Sequence, residues 1–125
     1  MNDHTWQVLL VEDEYDSLQV VSKILSFYGV QVVVAHHGGE CLELLTRLTP
    51  TLIVTDLAMP TLDGWQTLAA IRANPRTRHI PVVAVTAYHS VDVAEEAMNA
   101  GFDGYFAKPV DPRSFVQSLE RIVTG

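Results

Sequence analysis

The sequence predicts an α/β fold, a doubly wound, five-stranded parallel sheet of strand order 2-1-3-4-5 with helices on both faces. Three observations predict it. Short apolar runs alternate with amphipathic segments along the whole chain, the pattern of βα units joined by right-handed crossovers. Four of those runs end in side chains of marked polar chemistry: Glu12-Asp13, Asp56, Thr86 and Lys108. Finally, 125 residues with 48% apolar content suit one domain, spanning residues 1–125, around one well-filled core.

Taken in order, Trp6–Val11 reads as strand one. A helix over Asp16–Tyr28 follows, with Leu18, Val21, Leu25 and Tyr28 at helical spacing and Gly29 as its stop. Val30–Ala35 is valine-rich and reads as strand two. Gly38–Leu48 carries Leu44, Leu45 and Leu48 on a helix closed by Pro50. Leu52–Thr55 is strand three. It leads through Met59-Pro60 and Asp63-Gly64 to a helix bearing Leu68 and Ile71. Ile80–Val85 is strand four, entered by Pro81, and Ser90 caps a helix ending at Gly101. Gly104–Ala107 is strand five. Asp111 and Pro112 then open a last helix with Phe115, Leu119 and Ile122 facing inward.

A formal charge of −7 with only eight scattered basic residues argues against direct nucleic-acid binding. Cys41 is the only cysteine, so no internal disulfide forms. A lone thiol on the buried side of a helix suits a reducing cytosol. Met1–Thr5 lacks the basic and apolar regions of a signal peptide, and no apolar run approaches the ~20 residues of a membrane span. A cytoplasmic domain without membrane attachment is expected.

In a doubly wound sheet, sites form beyond the carboxyl ends of the strands, at the switch point between strands one and three. Three carboxylates (Glu12, Asp13, Asp56), the Thr86 hydroxyl and the Lys108 ammonium would meet at that edge. Three anions so close repel one another, and a hard divalent cation with oxygen ligands relieves the repulsion. Mg²⁺ is the expected ion, because it uses few carboxylates alongside a phosphate. The set suits phosphoryl transfer.

These residues resemble the receiver domain of bacterial two-component response regulators, with a flavodoxin-like (βα)5 fold. The resemblance spans the chain: Glu12-Asp13, Asp56-Leu57-Ala58-Met59-Pro60 with Asp63-Gly64, Thr86-Ala87 and Lys108-Pro109. It implies that Asp56 accepts a phosphoryl group from a histidine kinase or histidine phosphotransfer domain. Asp13, Asp56 and the Ala58 backbone carbonyl would bind Mg²⁺, with Glu12 reaching it through water or nearly directly. Lys108 would pair with a phosphoryl oxygen and be held near Asp56 beforehand, a cis bond to Pro109 aiming it inward. Thr86 would donate its hydroxyl to the phosphoryl group, while Ala87 leaves room beside it. Tyr105 would fill the space that Thr86 vacates on moving. The output would be a changed face of Val91–Ala100, Phe102–Phe106 and Asp111–Val123, presented to an effector protein or domain.

Two departures from the family pattern stand out. Glu12 replaces the more usual aspartate, its extra methylene expected to push the carboxylate outward and retune metal geometry. Ala58 and Tyr88 stand two residues beyond Asp56 and Thr86. Alanine offers an attacking water no hydrogen bond and tyrosine offers shielding, so slow self-dephosphorylation is expected. A Mg²⁺-dependent phosphatase with an aspartate nucleophile is disfavoured, because Ala58 stands where its general acid would be. A flavodoxin-like cofactor binder is disfavoured by Glu12-Asp13-Glu14 where a phosphate loop is needed. A degenerate receiver acting only as a binding module remains an alternative. His4, His36-His37, His79 and His89 show no metal-ligand spacing and read as surface residues, and Trp65 as packing at the start of helix three.

Overall fold

The computed structural model describes residues 6–59 and 61–125. Expectations placed on Met1–Thr5, His4 among them, and on Pro60 fall outside the described residues.

Five strands, β1 (Gln7–Val11), β2 (Gln31–Ala35), β3 (Leu52–Asp56), β4 (Val82–Thr86) and β5 (Gly104–Ala107), form a parallel sheet ordered β2-β1-β3-β4-β5. The intervening helices are α1 (Tyr15–Phe27), α2 (Gly38–Leu44), α3 (Gly64–Ala73), α4 (Val91–Ala100) and α5 (Pro112–Thr124). Alternation along the strands divides the core. Val8, Leu10, Leu52, Val54, Val83 and Val85 pack with Val21 and Leu25 of α1 and Phe115 and Leu119 of α5. Leu9, Val11, Ile53, Val82 and Ala84 pack with Cys41, Leu68, Ile71, Ala97 and Phe102 on the other face. Each fully buried leucine or isoleucine contributes about 1.5–3 kcal/mol.

Register sets the site. Val11 pairs with Thr55, Asp56 with Val85, and Thr86 with Ala107, so β1, β3, β4 and β5 all end at the same edge of the sheet. Strands three and four each run one residue further than the sequence pattern predicts, which makes Asp56 and Thr86 terminal strand residues. Gly64, opening α3, permits this turn. Any side-chain carbon there would press into the Asp56 carbonyl oxygen.

Two helix caps match expectation: Ser90 accepts from the Val93 amide and Asp111 from the Ser114 amide. The structure adds a third, Asp63, which forms a capping box with Gln66. Helix α2 is shorter than the expected span to Leu48. Thr46 and Arg47 donate to carbonyls three residues back (Glu43 and Leu44), and this tighter turn ends the helix at Leu44.

Candidate functional site

The backbone brings the predicted side chains together. Glu12 and Asp13 follow β1, Asp56 ends β3, Thr86 ends β4 and Lys108 follows β5. Glu12, Asp13 and Asp56 each present a carboxylate oxygen within 4.8 Å of the others. Asp13 is exposed, while Glu12 and Asp56 are buried.

Asp56 is held at both oxygens: Oδ1 accepts from the Ala58 amide at 3.0 Å, and Oδ2 accepts from Lys108 Nζ at 2.8 Å. The Lys108 ammonium has three donors, and all three are used, the others going to Glu12 Oε1 at 2.7 Å and Ser17 Oγ at 3.0 Å. The Lys108 amide donates to the Thr86 carbonyl, anchoring the backbone that carries the lysine. The Lys108–Pro109 peptide is cis.

Glu12 departs from its expected direction. Its longer arm turns inward to Lys108, and its second oxygen accepts from the Glu14 amide at 3.2 Å. Burial is the main cause that pushes its carboxyl up to about 7, with the Asp56 charge adding to it and Lys108 opposing. For Lys108, burial pulls the ammonium down, but hydrogen bonds and charges from Asp56 and Glu12 outweigh it and the net shift is upward.

Thr86 is buried, and its hydroxyl oxygen accepts from the Tyr88 amide at 3.0 Å, which leaves its proton for another acceptor. Ala87, Tyr88 and Ala58 line an open cleft of about 340 Å³ together with Asp13, Asp56 and Lys108. Tyr88 keeps 75% of its surface exposed, so it does not close the cleft in this conformation.

The donor set fits a hard divalent ion. With every carboxylate ionised, as cation binding requires, the three acids and one ammonium sum to −2; the oxygens are clustered, and the cleft reaches Asp13 and Asp56. Such an arrangement can hold Mg²⁺ and a phosphoryl group against one nucleophilic oxygen.

Two residues of this region escape the sequence reading. Ser17 joins the lysine's shell; as a small polar residue in the first turn of a helix it carries no signal of its own. His89, read as a surface residue, is exposed, yet its Nδ1 lies 3.1 Å from the half-buried Tyr105 hydroxyl. The rings sit 5.6 Å apart. His36, His37 and His79 are also exposed, and His37 caps α2 by accepting from the Glu40 amide. Trp65 packs edge-on against Phe102. Burial pushes the Cys41 thiol up to about 12, which leaves it unreactive at neutral pH.

A doubly wound sheet with acids and a lysine gathered at its switch point defines a class of phosphoacceptor domain. The profile of the response regulator receiver domain matches residues 8–120, and the chain belongs to that family. Receiver domains are phosphoacceptor switches rather than enzymes of the usual kind; they bind Mg²⁺ in an acidic pocket and interact with histidine kinases and output domains.

Among its relatives, the response regulator FleR of Pseudomonas aeruginosa is 36% identical over 119 residues, 95% of this chain and 25% of FleR. A 14.6 kDa protein of Leptolyngbya boryana is 34% identical over 114 residues, 91% of this chain and 87% of that one. The chain thus spans nearly all of one relative but about a quarter of FleR and of the transcriptional regulator ZraR. Among solved structures, the receiver domain of a Pseudomonas aeruginosa PAO1 sensor histidine kinase, with magnesium in its active-site cleft, superposes with a TM-score of 0.89 at 28% identity. That match covers 98% of this chain and 100% of the other. The chemotaxis protein CheY4 of Vibrio cholerae gives 0.86 at 27% identity, covering 95% and 99%. Among the described residues, no helix is long and apolar enough to cross a membrane.

Proposed function

We propose that this chain is a phosphorylation-dependent signalling switch whose phosphoacceptor is Asp56. The observation that carries this reading is the 2.8 Å contact of Lys108 Nζ with Asp56 Oδ2 beside the three-carboxylate cluster. An Asp56 oxygen attacks the phosphorus of a phosphohistidine on a histidine kinase or phosphotransfer domain. A P–O bond forms, the P–N bond breaks, and the imidazole nitrogen keeps the electron pair and takes up a proton. Glu12, Asp13, Asp56 and the Ala58 carbonyl would hold Mg²⁺, which supplies neutralisation of the charge on the phosphoryl oxygens.

Lys108 binds one phosphoryl oxygen, and the Thr86 hydroxyl donates to another over the small Ala87. The added group carries nearly two negative charges. Drawing Thr86 toward it frees space for Tyr105, and the face built from α4, β5 and α5 shifts between two populations. An effector protein or an attached output domain reads that face in the cytoplasm, without direct contact of this domain with nucleic acid or membrane. Ala58, which offers an attacking water no side-chain hydrogen bond, supports a long-lived phosphoaspartate.

Incubation with Mg²⁺ and a small phosphodonor, followed by intact mass, tests the reading. One added phosphoryl group is expected, absent in Asp56→Asn. No uptake by the natural sequence would refute it.

A further inference from the structure

Four of the five helices are capped by their N-cap side chain: α2 by His37, α3 by Asp63, α4 by Ser90 and α5 by Asp111. Helix α1 is the exception. Its N-cap residue, Glu14, makes no side-chain cap. The Glu14 carboxylate instead accepts the Ser17 hydroxyl proton at 2.6 Å, and Ser17 Oγ in turn accepts from Lys108 Nζ at 3.0 Å. With its own proton committed to Glu14, Ser17 has lone pairs for the ammonium. Glu14 and Ser17 thus form a chain to the lysine, and Glu14 does not cap the helix.

The lysine's three acceptors differ in what the proposed reaction does to them. Asp56 Oδ2 belongs to the carboxylate that becomes an acyl phosphate and gives up its charge. Glu12 belongs to the set that would turn toward the cation. Ser17 is neither a cation ligand nor the acceptor, so it alone is unchanged from the free to the phosphorylated state. Ser17 also lines the cleft together with Asp56 and Lys108, so its hydroxyl stands where the ammonium must remain.

We infer that Ser17, oriented by Glu14, is a positioning residue that keeps the Lys108 ammonium aimed into the cleft while its two anionic partners are drawn to the cation and the phosphoryl group. This rests on the phosphoacceptor reading of Asp56. It makes no demand on the apo fold, where Glu12 and Asp56 already hold the lysine.

The test compares natural sequence, Ser17→Ala, Ser17→Thr and Glu14→Gln. The phosphorylation rate is measured at saturating Mg²⁺ and small phosphodonor, the Mg²⁺ midpoint by calorimetric titration, and Tm without Mg²⁺. Ser17→Ala is expected to lower the saturated rate about tenfold, the lower end of the scale of one lost hydrogen bond to a charged group. Its Mg²⁺ midpoint and Tm should match the natural sequence. Ser17→Thr, which keeps the hydroxyl, should restore the rate, and Glu14→Gln should fall between. An unchanged rate in Ser17→Ala would overturn the inference. So would a loss accompanied by an equal fall in Tm or Mg²⁺ affinity, or one that threonine does not rescue. Failure of the natural sequence to take up phosphoryl would instead sink the parent reading, and this inference with it.

Discussion

The two ends of the sheet each carry a cation bound to an aspartate, to opposite effect. At the end where β4 and β5 begin, Arg72 of α3 donates to the carbonyls of Arg78, Ile80 and Gly101 and to Asp103 Oδ2 at 2.8 Å. The same Asp103 oxygen accepts from the Val82 amide. Every partner is backbone or is itself fixed to backbone, and the pair is neutral. At the other end Lys108 meets two acids and a hydroxyl, a third acid stands exposed beside them, and a cleft of about 340 Å³ opens between. One ion pair is a staple and the other is a site. Surplus negative charge and open space separate the two, and ion-pair geometry does not.

That contrast is broken most forcefully at the staple. Arg72→Ala should cost about 3 kcal/mol by taking the cation from Asp103 and a donor from three carbonyls, lowering Tm by about 10 °C. Added Mg²⁺ should restore none of the loss, and phosphoryl uptake below the melting transition should stay as in the natural sequence. Recovery by Mg²⁺ would show the two ends to be coupled.

A smaller effect sharpens the contrast at the site. The folded Glu12 carboxyl sits near 7, raised from its ordinary 4.5 chiefly by burial. Between those values the folded chain keeps a proton that the unfolded chain has lost, so the unfolded chain binds fewer protons. Without Mg²⁺, stability should therefore fall as pH rises from about 4.5 to about 7. Glu12→Gln should flatten that slope and gain on the order of 1–3 kcal/mol at pH 7. Denaturant titrations across this pH range check it, and an equal slope in both proteins would remove Glu12 as the cause. Neutralising an acid thus stabilises one end of the sheet, whereas removing the cation destabilises the other.

The smallest effect falls beside the site, just beyond the end of β4. His89→Ala should change stability by less than about 0.5 kcal/mol, since the residue is exposed. It should nonetheless release the Tyr105 hydroxyl, seen as a shifted or exchange-broadened resonance of fluorotyrosine at position 105. An unmoved resonance would mean that the contact does not hold the ring.

Much of the site was legible from residue order alone. Glu12, Asp13, Asp56, Thr86 and Lys108 each close an apolar run, and a doubly wound sheet collects such ends at one edge. Ser90 and Asp111 announced their helices through side-chain chemistry that acts within three residues. Glu12 was harder. Its extra methylene suggested a carboxylate set farther out with a retuned metal geometry, but a buried carboxylate needs a partner, and Lys108, 96 residues away, turned it inward.

The sequence by itself determined the elements, their order and the chemistry at their ends, because periodicity, caps and turns are local interactions read within a few residues. Tertiary structure alone decided which way Glu12 points, that Lys108 reaches Ser17 and Tyr105 reaches His89, and that Arg72 closes the far end. Those outcomes depend on which atoms lie within hydrogen-bonding distance after strands distant in the chain pair, and on the desolvation that pairing imposes; no local pattern encodes either.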